Sequence, residues 1–147
     1  IAEIRKHSDR PIVIRPHPRN LSRGVMYTEH RIDTLTRLGY KNIRISDNLE
    51  VGFGGDGLTM DIQNAYCTVT YNSNSAVESM EEGIPTFALD PSSPIAPVAH
   101  TDLSGIERLD YNRDLQGWKN RVAYQVWHKE EVKRGDAWAH LKPVYFK

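Results

Sequence analysis

Residues 14–20, IRPHPRN, set one histidine between two prolines and flank the group with Arg15 and Arg19. Prolines on either side fix the backbone, so His17 can act only through its ring. An imidazole titrates near neutrality and can donate a hydrogen bond to a phosphate oxygen or serve as a general acid. The two guanidinium groups suit bidentate phosphate contacts. Further along, YNSNSAVESMEEGIP (71–85) gathers Ser73, Asn74 and Ser75 at what reads as the start of a helix. Hydroxyls, an amide and unsatisfied backbone N–H groups would there meet an anion that the helix dipole favours.

Each stretch also has a plainer reading. PHP can be a rigid turn carrying a surface histidine and two solvated arginines. Ser73 or Ser75 can simply cap the helix, with Glu78 completing a Ser75-x-x-Glu78 capping box. Capping and binding are compatible in one loop. What tips PHPRN towards chemistry is a second anion-ready loop on the same sheet edge.

That edge follows from the elements. Segments rich in β-branched residues alternate with segments of helical period, the mark of an α/β layer fold with a mostly parallel sheet. PIVIR (11–15) reads as a first strand, apolar enough for both sheet faces to be covered. MYTEHRIDTLTRL (26–38) reads as a helix with Ile32, Leu35 and Leu38 inward, stopped by Gly39. NIRIS (42–46) is a second strand, LTMDIQNA (58–65) a short helix and CTVTY (67–71) a third strand. SAVESMEE (75–82) is a helix with Ala76, Val77 and Met80 inward, ended by Gly83, and IPTFAL (84–89) is a fourth strand.

DPSSPIAPVAHTD holds three prolines and reads as loop. Residues 114–134 carry Leu115, Trp118, Val122 and Val126 at helical spacing and read as one amphipathic helix. The tail GDAWAHLKPVYFK has no firm period and is expected to pack through Trp138 and Tyr145. The expected fold is therefore α/β: a Rossmann-like, doubly wound, mostly parallel sheet with flanking helices, in a single domain over 1–147. Ligands of such sheets sit outside the carboxyl ends of the strands, where PHPRN and NSNS both fall.

Composition narrows the function classes. The length of 147 residues suits one domain with a real core. Nineteen basic residues balance nineteen acidic ones, which argues against a free-standing nucleic-acid binder. Apolar runs reach only about five residues, far short of the ~20 that span a bilayer. No secretory signal opens the chain, and a lone Cys67 suits a reducing compartment. Cytoplasmic residence is expected, with a peripheral station at the inner membrane face as its variant. The first residue is Ile, so the sequence is expected to start inside a longer gene product.

IVIRPHPR, then a strand followed by NSNS, then SAVESMEEGIPTF, resembles the donor-binding half of glycosyltransferases built from two Rossmann-like domains, the GT-B architecture. More narrowly it resembles the bacterial sialyltransferase and Kdo-transferase group of capsule and lipopolysaccharide synthesis. Those enzymes direct an HP motif and a later serine/threonine motif at the phosphate of a CMP-sugar. His17-Pro18 matches the first motif, and Ser73 with Ser75 the second. Glu78, five residues before Gly83, resembles the helix glutamate that holds the ribose in other members and in nucleotide-sugar 2-epimerases. The resemblance covers roughly residues 11 to 90, and the closing AYQVWHKEEVKRGDAWAHL is similar to the tail of capsule-type and phage-borne glycosyltransferases.

The resemblance implies a nucleotide-sugar substrate, CMP-linked ahead of UDP-linked, with His17 catalytic and Arg15, Arg19, Ser73, Asn74, Ser75 and Glu78 around nucleotide and phosphate. It implies no cofactor and no metal, and no Asp-x-Asp pair is present to hold one. The family's general base belongs to an amino-terminal domain, so that domain and a glycan acceptor are the implied partners. This chain alone should bind nucleotide weakly and transfer nothing. Two other readings stay open: a 2-epimerase-like domain, and a non-catalytic α/β phosphate-binding or interaction module.

Other signals carry less. GFGGDG (52–57) matches G-x-G-x-x-G, but NLEV intervenes after the strand and the helix is expected to start late, so it reads as a flexible loop. Asp56 and Asp61 read as starting or capping the next helix. His100 reads as a solvated loop histidine ahead of one that reaches the crevice. His7, His30, His128 and His140 share no ligand spacing. Cys67 reads as core, Trp118, Trp127 and Trp138 as core or domain-interface anchors ahead of sugar-stacking platforms, and KEEVKR as a solvated helix face.

Overall fold

Runs of Ile, Val and Thr favour extended backbone because branched side chains restrict χ1 and pack well on a pleated surface. A computed structural model of the chain describes residues 1–17, 21–49, 57–109, 114–123 and 127–145. Its strands are β1 (Ile12–Ile14), β2 (Ile43–Ile45), β3 (Thr68–Thr70) and β4 (Thr86–Ala88). β1 pairs with β2 in parallel, Ile12 opposite Ile43 and Ile14 opposite Ile45. β3 pairs with β4 in parallel, Thr68 opposite Thr86 and Thr70 opposite Ala88. The architecture is mixed α/β with two short parallel sheets, and among the described residues β1 and β3 are not hydrogen-bonded to each other.

Helix α1 (Ala2–Arg5) precedes β1, and the strands are connected through α2 (Leu21–Arg37), α3 (Gly57–Gln63) and α4 (Ser75–Glu81). Gly39 and Gly83 follow α2 and α4 with φ of +88° and +77°, a conformation that only glycine adopts without strain. α2 starts five residues before the expected position, so the connection from β1 is short. Ile32 and Leu35 are half-buried, as their spacing predicts, but Leu38 lies beyond the helix end and is 70% exposed. Covered faces are also not uniform. Val13 and its register partner Arg44 are both exposed, so the β1–β2 pair keeps one side open.

The core forms on the other pair. Phe87 is fully buried with Leu103 and Ile106, and Ile4, Cys67, Val69 and Leu109 pack against them. Burying such a ring is worth about 1.5–3 kcal/mol. The three-proline stretch after β4 contributes to the interior as well: Ile95, Val98 and Ala99 are buried, and His100 forms a parallel bridge to Phe87. A chain of hydroxyls joins β3, β4 and α4. Thr68 Oγ1 lies 2.8 Å from both Ser79 Oγ and Thr86 Oγ1, and Thr86 donates to the Ile84 carbonyl at 3.0 Å. Buried polar groups of this kind are tolerable only because they satisfy one another, and they fix α4 on the sheet.

The chain divides into two compact units, 1–111 and 112–147. The second holds α5 (Leu115–Ala123), α6 (Lys129–Arg134) and α7 (Asp136–Tyr145). Trp118 is buried, Leu115 and Val122 are half-buried, and Val126 lies outside the described residues. The single helix expected over 114–134 is broken. His128 takes extended backbone, φ −66° and ψ 146°, and caps a new helix: its Nδ1 accepts the Glu130 N–H at 3.3 Å, and Glu131 accepts the His128 N–H at 2.7 Å. Trp138 is 56% exposed, contrary to the packing role expected of it.

Candidate functional site

His17 stands three residues beyond Ile14, the end of β1, and Ser73 three beyond Thr70, the end of β3. His17 is exposed, Ser73 and Ser75 are half-buried, and Asn74 and Glu78 are exposed. Pro18 and Arg19 lie outside the described residues, as does Asp56 with most of the glycine-rich motif.

The serine loop differs from its capping reading. Asn74, not a serine, is the residue before α4; it has helical dihedrals and its side chain makes no capping bond. Ser75 is already the first helical residue, so a Ser75–Glu78 capping box cannot form. The backbone donors expected to be open to an anion are taken within the segment. Ser73 Oγ accepts the Ser75 N–H at 3.3 Å, the Ser73 carbonyl accepts from Ala76, and the Asn74 carbonyl accepts from Val77 and Glu78. α4 is also only seven residues long, which leaves little macrodipole.

What remains at this loop is a hydroxyl couple. Ser73 Oγ and Ser75 Oγ lie 2.8 Å apart. Two hydroxyls carry two hydrogens and the bond between them uses one, so the pair keeps one hydrogen to offer elsewhere whichever way it points. The Asn74 amide is exposed beside it.

Arg15 is committed to the protein itself. Its Nη1 donates to Asp61 Oδ2 at 2.7 Å, to the Asn48 carbonyl at 2.8 Å and to the Gly57 carbonyl at 3.3 Å. Asp61 is therefore no helix cap. It sits within α3 as the hub of a network, also accepting from Ser46 Oγ at 2.6 Å and Asn48 Nδ2 at 2.8 Å. Burial alone would raise the Asp61 carboxyl, but the bonds from Ser46 and Asn48 and the Arg15 guanidinium outweigh it and hold its pKa below the ordinary aspartate value. Nothing local announces this role, because Arg15 and Asp61 are 46 residues apart in the chain.

Gly57, the last letter of the G-x-G-x-x-G match, has a packing reason to be glycine: a Cβ there would stand 2.3 Å from the Asn48 carbonyl oxygen. The dinucleotide fingerprint further requires a strand directly ahead of its first glycine, and β2 ends at Ile45, seven residues before Gly52.

The contacts of Arg10 were not legible in the sequence, and His100 differs from what is expected of it. The Arg10 Cζ lies 3.6 Å from the Tyr66 ring centroid, and the Arg10 Nε also donates to Glu107 at 3.0 Å. His100 is half-buried with its ring 5.0 Å from that of Phe87, and its backbone exchanges hydrogen bonds with Thr86 and Ala88. That bridge makes it a sheet-edge residue rather than a solvated loop histidine. Burial pushes the Cys67 thiol up to about 11, consistent with its core position. Among the described residues no group of His, Cys, Asp or Glu side chains is placed to hold a metal ion, and no helix is long and apolar enough to cross a membrane.

No family model, curated protein or solved structure matches the chain.

Proposed function

We propose that the first unit is the donor-binding half of a GT-B-type glycosyltransferase of surface-polysaccharide synthesis. In this reading His17 and the Ser73–Ser75 couple meet the phosphate of a nucleotide sugar, CMP-linked ahead of UDP-linked. The observation that carries the proposal is the hydroxyl couple: two serines pair with each other at a strand's carboxyl end while Asn74, the residue before the adjacent helix, makes no capping bond with its side chain.

Two contacts favour a common edge for the two loops. Arg10 and Tyr66, each two residues ahead of its strand, stack on each other at the amino ends of β1 and β3. Towards the carboxyl end, Arg15 is bonded to α3, and α3 packs against α4, which opens with Ser75. A doubly wound order β2-β1-β3-β4 accommodates both contacts. It would put His17 and Ser73 on either side of the switch point between β1 and β3, where such sheets bind ligands.

The chemistry then follows. As the glycosidic bond breaks, negative charge builds on the leaving phosphate. Fixed donors aimed at it stabilise the transition state more than the ground state. His17 donates to or protonates that phosphate, and the serine couple and Asn74 add neutral donors. Arg19 is retained as a phosphate contact, Glu78 faces the ribose hydroxyls, and Arg15 supports the loop. The general base and the acceptor site belong to a partner domain.

NMR titration of the full chain with CMP, UDP, NAD and inorganic phosphate tests this. The expected result is a saturable shift of the His17 ring signals with CMP that is lost in Ser73→Ala, together with loss of CMP binding in His17→Ala. Equal response to phosphate and CMP would favour a plain phosphate-binding module, and silence towards all four would overturn the proposal.

A further inference from the structure

We propose that Asp61 is a positioning residue for His17, acting through Arg15. This rests on the reading of His17 as the phosphate-directed group. A histidine on an exposed loop aims at a ligand only if the backbone beneath it is held, and misplacement by about an ångström can cost on the order of 100-fold in a reaction.

The backbone before His17 is held on two sides. Arg15 reaches the Asp61 carboxylate and the carbonyls of Asn48 and Gly57, which flank the segment 49–56. Pro16 is buried, and Gly24 of α2 approaches it so closely that a Cβ there would stand 3.2 Å from the Pro16 Cβ. With Arg15 tied to α3 and Pro16 seated near α2, the exit direction of His17 is set by the two residues before it.

The anchor is firm because it is largely dry. The Arg15 and Asp61 side chains are 24% and 17% exposed, and Ser46 is buried. Among the described residues, Asp61 accepts from Arg15, Ser46 and Asn48, at 2.6 to 2.8 Å. A carboxylate so occupied is a support and not a ligand. Its charge is what matters: an uncharged amide of the same shape would leave the Arg15 guanidinium half-buried without a counter-ion, and the guanidinium would turn towards water.

The test is histidine-selective NMR on the full chain, comparing wild type with Asp61→Asn, Asp61→Glu and Ser46→Ala, each with and without CMP. Asp61→Asn is expected to move the His17 Cε1–H signal in the absence of nucleotide and to weaken CMP binding roughly tenfold. Amide signals of β3 and β4 should stay in place, and Asp61→Glu should recover part of the loss. An unchanged His17 signal in a folded Asp61→Asn overturns the proposal. If that variant does not fold, Ser46→Ala, which keeps the ion pair and removes one bond to it, decides by the same signal. If wild type ignores CMP, the nucleotide reading falls, while the nucleotide-free His17 signal still decides the positioning role.

Discussion

Arg10 and Tyr66 stack with 3.6 Å between the guanidinium carbon and the ring centroid, and each stands two residues ahead of a strand, β1 and β3 respectively. Glu107 also accepts from the Arg10 Nε and from the Ser8 hydroxyl, so three segments meet at one side chain. An exposed ion pair is screened by salt, whereas ring stacking is less so. A double-mutant cycle of Arg10→Ala and Tyr66→Leu should give a coupling of about 0.5–1 kcal/mol by urea denaturation. The coupling should survive 0.5 M salt, where the Debye length has shrunk to about 4 Å. A coupling abolished by salt would move the credit to Glu107.

Acid should weaken the Asp61 network. The folded carboxyl has a pKa below 3.8 because Ser46, Asn48 and Arg15 stabilise its charge against the cost of burial. A depressed folded value means that the network's contribution is complete above the unfolded pKa. It is lost as pH falls through the folded one. Melting temperature should therefore drop below about pH 4 in wild type, and Asp61→Asn should flatten that limb. At pH 7 the same variant should be destabilised by about 1–3 kcal/mol, the usual cost of leaving a half-buried charge-assisted network unmatched.

Cys67 predicts the opposite limb. Burial raises its thiol to about 11, with Arg10 pulling it down and Glu107 pushing it further up. The folded state thus keeps a proton that the unfolded chain gives up near 9. Stability from this group is unaffected below that pH and declines as pH rises towards 11. At pH 8 an aromatic disulfide reagent should label the native protein far more slowly than the urea-unfolded chain, since only the thiolate reacts. Equal rates would place Cys67 outside the core.

These residues also mark where sequence reasoning reaches and where it stops. Gly39 and Gly83 were legible as helix stops because a left-handed φ leaves glycine as the low-cost choice. Four β-branched runs were legible as strands, and parallel pairing followed from the helices between them. Asp61 was not legible, since its partner is distant in sequence and an aspartate near a helix start looks like a cap. His128 was missed because histidine is not an expected capping residue, although Glu131 three positions on completes the box. Ile95, Val98 and Ala99 lie in a proline-rich stretch whose turn chemistry hid its apolar interior. The hydroxyls of Ser73 and Ser75 were legible as polar donors, but their mutual bond depends on which of them begins the helix.

Asn74 separates capping from binding most cleanly. It occupies the position before α4, where an asparagine side chain would ordinarily accept a backbone N–H, and it makes no such bond. Loss of a working cap costs about 0.5–2 kcal/mol. Asn74→Ala should instead change stability by less than about 0.5 kcal/mol, as a surface substitution does. If the exposed amide serves the proposed phosphate site, the same variant should weaken CMP binding while the melting temperature holds. Ser73→Ala should do both to a degree, because its Oγ accepts the Ser75 N–H as well as pairing with the Ser75 hydroxyl. Calorimetry and thermal melts on the two variants check this together. A stability loss near 1 kcal/mol in Asn74→Ala with unaltered nucleotide binding would return the loop to an ordinary helix start.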